Sequence, residues 1–176
     1  MIVHIERLQP VQELAYDFNS PACQLPKEFA TLIGAAHLEA CIRKLEEEVT
    51  LEARLIAEVE MSCSRCLKAH RQHVDECFKL IFLPEPQEQK AADELELRET
   101  DLYVEFYRDK IIDLEDIVRE QLLLMLPFKP LCREECLGLC SSCGQDLNEG
   151  TCACPKDRID PRFAVLKKLS GQKRTE

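Results

Sequence analysis

The chain has 176 residues, 45% of them hydrophobic and 32% charged, and a formal net charge of −10 at pH 7. That composition is globular, excluding a disordered or collagen-like chain. No apolar run reaches the ~20 residues that a membrane-spanning helix needs. A chain this acidic also does not coat nucleic acid through bulk electrostatics.

Taken in order, Ile2–Leu8 reads as a strand and Leu14–Phe18 as a weaker extended piece, broken by Asn19-Ser20-Pro21. The opening residues carry neither a basic region nor an apolar stretch of the signal-peptide kind, so a cytoplasmic protein is expected. Residues 25–40 give no decisive periodicity. From Val49 to Met61 apolar residues alternate with Thr50, Glu52, Arg54, Glu58 and Glu60, which predicts a strand with one buried face, interrupted by Ile56 on the polar side. A second alternation at Phe78, Leu80 and Phe82 ends at Pro84, predicting a hairpin with Cys63-Ser-Arg-Cys66 at its tip or base. Residues 84–101 are rich in acids and read as a solvated linker.

Leu102–Phe106 and Ile111-Ile112 read as strands around the turn Arg108-Asp109-Lys110. A helix over 114–126 follows, with Asp113 as N-cap and Asp116 at its third position, close to a capping box. Its stripe is Leu114, Ile117, Val118, Leu122, Met125 and Leu126. Leu123 and Leu124 lie off the stripe and are expected to be covered by a second layer, the alternative being a partner surface. In the tail, Asp160-Pro161 has the form of a helix start. That helix would bury Phe163, Val165, Leu166 and Leu169.

Eleven cysteines are the strongest compositional signal. Clustered cysteines in a chain that is not exported point to metal ligation more than to disulfides. Cys63 and Cys66, two residues apart, can reach one ion, and a redox role would want them at a helix start after a strand. His70 and His73 lie at ligand distance but read as solvated. The denser constellation is Cys132, Cys136, Cys140, Cys143, Cys152 and Cys154. Cys140-Ser-Ser-Cys143-Gly144 has the form of a zinc knuckle, and Cys152 and Cys154 would complete a four-thiolate site that supplies the segment's folding energy. Joining Cys63 and Cys66 to Cys132 and Cys136 would make a second site clamping the tail to the sheet, so one or two structural zinc ions are expected. Cys136-x3-Cys140-x2-Cys143 also has the spacing of a radical-SAM signature, and four of these cysteines would suit a [4Fe–4S] cluster. Cys23, Cys41 and Cys77 are left as small hydrophobes.

Residues 1–126 hold 14 Lys and Arg against 26 Asp and Glu, whereas 127–176 hold 9 against 7. Arg158, Arg162, Lys167, Lys168, Lys173 and Arg174 therefore form the one candidate RNA-binding set. No phosphate loop, nucleophile elbow or His-Glu-x-x-His motif is present, so no catalytic residue is assigned and a non-enzymatic protein is expected. The resulting architecture is α+β. A mainly antiparallel sheet with an amphipathic helix packed on it makes up a β-rich domain over 1–128, followed by a Cys-rich, zinc-knuckle extension and basic helix over 129–176.

These motifs come in a distinctive order. Cys63-Ser-Arg-Cys66-Leu67 is followed by Asp113-Leu114, the Glu120–Leu126 helix and Pro127. The run Cys136-Leu-Gly-Leu-Cys140-Ser-Ser-Cys143-Gly144-Gln-Asp-Leu147-Asn148 comes next, and Asp160-Pro161-Arg162-Phe163 closes the set. Over residues 45–170 the chain resembles the YceD family, the large ribosomal RNA subunit accumulation proteins. The resemblance implies a ribosome-biogenesis factor that supports the synthesis, processing or stability of 23S ribosomal RNA. Its partner would be the pre-large-subunit particle, met through RNA or ribosomal proteins. A thiol or metal redox protein and a dedicated chaperone for one ribosomal protein are the alternatives.

Overall fold

The computed structural model describes residues 1–19, 23–26, 28–86 and 103–154. The helix expected after Asp160, the set Arg158, Arg162, Lys167, Lys168, Lys173 and Arg174, and most of the 84–101 linker lie outside the described residues.

Two sheets and one helix make up the described part. The strands are β1 (Ile2–His4), β2 (Val11–Asn19), β3 (Ala30–Leu45), β4 (Glu48–Ser62), β5 (Ala69–Pro84), β6 (Val104–Tyr107) and β7 (Ile111–Asp113), followed by α1 (Leu114–Met125). The segment Ile5–Arg7, expected to continue the first strand, is instead a turn of 3-10 helix. The larger sheet has the order β2-β3-β4-β5-β6, and β1 pairs with β7 in a second, two-stranded sheet. Pairing is antiparallel throughout except between β5 and β6, which run parallel. The turn at Asp109 and Lys110, both at positive φ, therefore sends β6 and β7 to different sheets.

The alternation in β4 fixes the inward face. Val49, Leu51, Ala53, Leu55, Ala57, Val59 and Met61 are all buried, because successive side chains of a strand point to opposite faces. Ile56 opposes His37 and Asp75 on the charged outer face, where Arg54 forms a two-pronged ion pair with Asp75 at 2.7 Å. β3 contradicts the ambiguity of its sequence. Between Ile33 and His37 it bulges against β4, so four of its steps match two of its neighbour's. Gly34, at φ +76°, allows that excursion. Because two extra residues are inserted, the inward parity survives, and Ala30, Leu32, Ala36, Leu38, Ala40 and Ile42 are all buried.

Helix α1 begins where expected. The Asp113 carboxylate accepts the Glu115 N–H at 3.0 Å, satisfying one of the donors a helix start leaves open. Asp116 does not close a capping box and pairs with Arg119 at 2.7 Å instead. Leu114, Ile117, Val118, Leu122 and Leu126 enter the same core as the inward face of the sheet, with Met125 and Leu123 partly buried against it. The second layer expected over Leu124 is not found among the described residues, where Leu124 is 76% exposed.

Leu55 is fully buried at the centre of β4, so Leu55→Ala is expected to lower stability by about 2–5 kcal/mol in urea unfolding. Asp113→Ala should cost about 1 kcal/mol by loss of the cap, and Leu124→Ala should stay within about 0.5 kcal/mol.

Candidate metal centres

Among the described residues, eight cysteines fall into two groups of four. Cys63, Cys66, Cys132 and Cys136 form one, and Cys140, Cys143, Cys152 and Cys154 the other, with the sulfurs of each group within 4.8 Å of one another. Either group could hold a metal ion. Cys136 is thus separated from Cys140 and Cys143, so the radical-SAM-like spacing does not converge on one cluster. His70 and His73 belong to neither group.

The first tetrad is built where β4 turns into β5. The Cys63 carbonyl accepts from Leu67 N–H at 2.9 Å, Cys63 N–H donates to the Lys68 carbonyl at 2.9 Å, and Arg65 N–H reaches Cys63 Sγ at 3.4 Å. The turn closes with Leu67 at φ 62°, a conformation unfavourable for a residue with a Cβ. Cys140–Gln145 repeats the pattern. Gly144 N–H donates to the Cys140 carbonyl at 2.9 Å, Cys140 N–H to the Gln145 carbonyl at 2.8 Å, and Ser142 N–H to Cys140 Sγ at 3.5 Å. Here a glycine occupies the left-handed position, at φ +74°. Both Cys-x-x-Cys pairs therefore ride on the same turn, which points backbone donors at the first sulfur.

Cys132 and Cys136 are delivered by the segment after α1. Ser64 N–H binds the Pro130 carbonyl at 2.8 Å, and Leu139 N–H binds the Arg65 carbonyl at 3.1 Å. The Arg65 guanidinium donates to the carbonyls of Cys136 at 2.8 Å and Glu134 at 3.1 Å. Gly138 passes so close that a Cβ there would lie 3.0 Å from the Arg65 carbonyl oxygen. Sequence reading misses this clamp: Gly138 suggests a tight turn near a metal site, but nothing in the residues pairs it with Arg65. Lys68, Asp146 and Asn148 likewise carry no sequence signal that marks them as site residues.

The donor set fits a tetrahedral thiophilic ion. Cys63 and Cys136 sulfurs are 3.8 Å apart and those of Cys66 and Cys132 3.7 Å. Four sulfurs at ~2.3 Å from a central zinc are separated by about 3.8 Å, far beyond the ~2.05 Å of a disulfide. Cys63, Cys66 and Cys136 are buried, whereas Cys132 is exposed. In the second tetrad Cys143 is exposed and the other three are half-buried. Of the remaining cysteines, Cys23 is buried and Cys41 half-buried, but Cys77 is exposed and so is not the small core hydrophobe expected.

Protonation is divided unequally. Burial opposes ionisation of Cys63, yet the N–H groups of Cys132, Cys66 and Arg65 hold it down at about 5. Cys136 is lowered against its own desolvation by the Asn148 amide and Gly138 N–H. Desolvation and the hydrogen bond to Cys66 push Cys132 up to about 12. In the second tetrad the Ser142 and Cys143 N–H groups bring Cys140 to about 6, while hydrogen bonding to Cys143 and desolvation raise Cys154 to about 12. Each cluster thus places at least one readily ionised thiol beside a reluctant one, as expected when neighbouring thiolates repel one another.

Residues 51–170 match the family described as large ribosomal RNA subunit accumulation protein YceD. An uncharacterized protein of Mycobacterium leprae (strain TN) is 32% identical over 132 residues, covering 74% of this chain and 57% of the relative. Uncharacterized proteins of Mycobacterium bovis and of Mycobacterium tuberculosis (strain H37Rv) are each 30% identical over 162 residues, covering 90% of this chain and 74% of theirs. The chain thus spans little more than half the length of the first of these relatives. No solved structure matches it.

Metal uptake at pH 7 should release protons, because Cys132 and Cys154, near 12, must surrender theirs to a cation. Affinity should rise with pH and collapse as acid protonates Cys140 near 6 and Cys63 near 5. Zinc titration calorimetry in buffers of different ionisation enthalpy measures both, and equal heats in all buffers would contradict the protonation pattern.

Proposed function

The chain belongs to the YceD family, and from that premise we propose that it is a non-enzymatic, cytoplasmic ribosome-biogenesis factor supporting 23S ribosomal RNA and large-subunit assembly. The observation that carries this reading is the family match over residues 51–170. Among the described residues no helix is long and apolar enough to cross a membrane, which is compatible with a cytoplasmic site of action.

Zinc is the proposed ion in both tetrads. Four thiolates fill a zinc ion's tetrahedral shell, so such a site stabilises structure and leaves no position for a catalytic water. In the first tetrad the ion would pin the segment after α1 to the β4–β5 turn. In the second it would close the Cys140–Cys154 segment as a zinc knuckle. That segment has no core of its own, since none of its residues is buried. Metal ligation is therefore the natural source of its folding energy.

Charge suggests how the two parts divide the work. The outer face of the sheet carries Glu13, Asp17, Glu39, Glu52, Glu58 and Asp75, several of them paired with Arg43, Arg54, Arg71 or Lys79. This acidic body suits basic ribosomal proteins, and the cations Arg158, Arg162, Lys167, Lys168, Lys173 and Arg174 suit RNA phosphates.

Removing the protein from its cell of origin is expected to lower 23S relative to 16S ribosomal RNA and to deplete the large-subunit peak on sucrose gradients. Unchanged ratios and profiles would overturn the assembly reading. Neutralising Lys167, Lys168, Lys173 and Arg174 together should weaken association with the particle and reduce its salt dependence, by roughly 0.7–0.9 in log–log slope for each phosphate no longer neutralised. If the wild-type association survives nuclease and the slope does not change, the partner is a ribosomal protein and not RNA.

A further inference from the structure

The loop between Cys143 and Cys152 belongs by sequence to the second tetrad, yet its side chains serve the first. Asn148 Nδ2 donates to Cys136 Sγ at 3.4 Å. Its Oδ1 accepts from Leu137 N–H at 2.9 Å and from the Arg133 guanidinium at 2.8 Å. With two donors on the oxygen and two acceptors at the nitrogen, the amide can point only one way. Asp146 holds it there, because Asp146 Oδ1 accepts from Asn148 Nδ2 at 2.7 Å and from Asn148 N–H at 2.8 Å. The other Asp146 oxygen is ion-paired at 2.8 Å with Lys68, two residues beyond Cys66. Leu147 N–H on the Gly138 carbonyl and Cys140 N–H on the Gln145 carbonyl tie the same loop to the stretch joining the tetrads.

We propose that the two tetrads load metal cooperatively and that Asn148 is the positioning residue that couples them. The inference rests on the metal-binding reading given above. An ion in the second tetrad closes the loop between Cys143 and Cys152, and a closed loop holds Asn148 with its amide aimed at Cys136. An N–H donated to a metal-bound thiolate stabilises its charge and fixes its direction, and the loss of such an outer partner typically weakens metal binding 10–100-fold. Coupling between sites is reciprocal, so an ion in the first tetrad, by seating Cys136, also preorders the loop that carries Cys152 and Cys154. The two tetrads are joined by only Leu137, Gly138 and Leu139, which leaves little slack to absorb disorder in either.

The test uses the full chain, freed of metal and kept reduced. At one equivalent of zinc, native mass spectrometry of the wild type should show metal-free and two-zinc chains dominating over the one-zinc form. A dominant one-zinc species would overturn the coupling, and no zinc uptake at all would overturn the metal reading with it. Asn148→Asp keeps an oxygen for Leu137 and Arg133 but has no N–H for Cys136. With cobalt(II) as the probe, it should shift the sulfur-to-cobalt charge-transfer band and weaken loading of the first tetrad about 10–100-fold, and with zinc the one-metal species should appear. Wild-type loading and an unchanged spectrum in Asn148→Asp would overturn the role of Asn148. The wild-type distribution decides cooperativity even if that variant fails to fold.

Discussion

The convergence of four sulfurs at the β4–β5 turn is the constraint on which the described structure beyond α1 depends. Cys63 and Cys66 are fixed at the turn of the long β4–β5 hairpin, while Cys132 and Cys136 arrive from a segment with almost no core of its own. Sulfurs 3.7–3.8 Å apart are too distant to bond one another and too close to ionise freely together. A divalent cation held by the four sulfurs would remove that conflict and turn mutual repulsion into an attachment between the segment and the sheet. Without it the segment would hang on a few hydrogen bonds, chiefly those that Arg65 and Ser64 make with the backbone of residues 130–139.

The hairpin tolerates strain to serve this end. Leu67 sits at φ 62° in the position that Gly144 occupies in the second turn, and both turns point backbone N–H groups at their first cysteine. The same physical solution therefore appears twice in one chain, once grafted onto a rigid strand pair and once in a short loop. The difference in support is visible in burial. Three cysteines of the first tetrad are buried, and none of the second. Hydrogen bonds that Asn148 donates to Asp146 and Cys136 bring the two unequal tetrads into one network, which makes the second less independent than its exposure suggests.

Much of the body was legible in the residues. The alternation from Val49 to Met61 specified β4 and its face, and Asp113 with the spacing of Leu114 to Leu126 specified α1. The β3 strand was not legible, because Gly34, Ala35 and Ala36 blur hydrophobic contrast and a bulge occupies that stretch. Nor could the sequence tell that β6 joins β5 in parallel, since a short apolar run carries no record of its partner. The exposure of Leu124 escaped the sequence for a related reason. Being off the apolar stripe does not say whether another layer exists to cover a side chain.

The cysteine spacings, by themselves, pointed to thiolate ligation and to eight residues that could take part in it, because two thiols two residues apart can share an ion whatever surrounds them. They offered the partition only as one of two options, a single site or two. Cys136 is four residues from Cys140 and 73 from Cys63, yet its sulfur lies with Cys63. Only the tertiary structure decided that, by packing the segment after α1 against the β4–β5 turn. The reason is that ligand grouping depends on through-space distance, which the long hairpin sets and local spacing does not record.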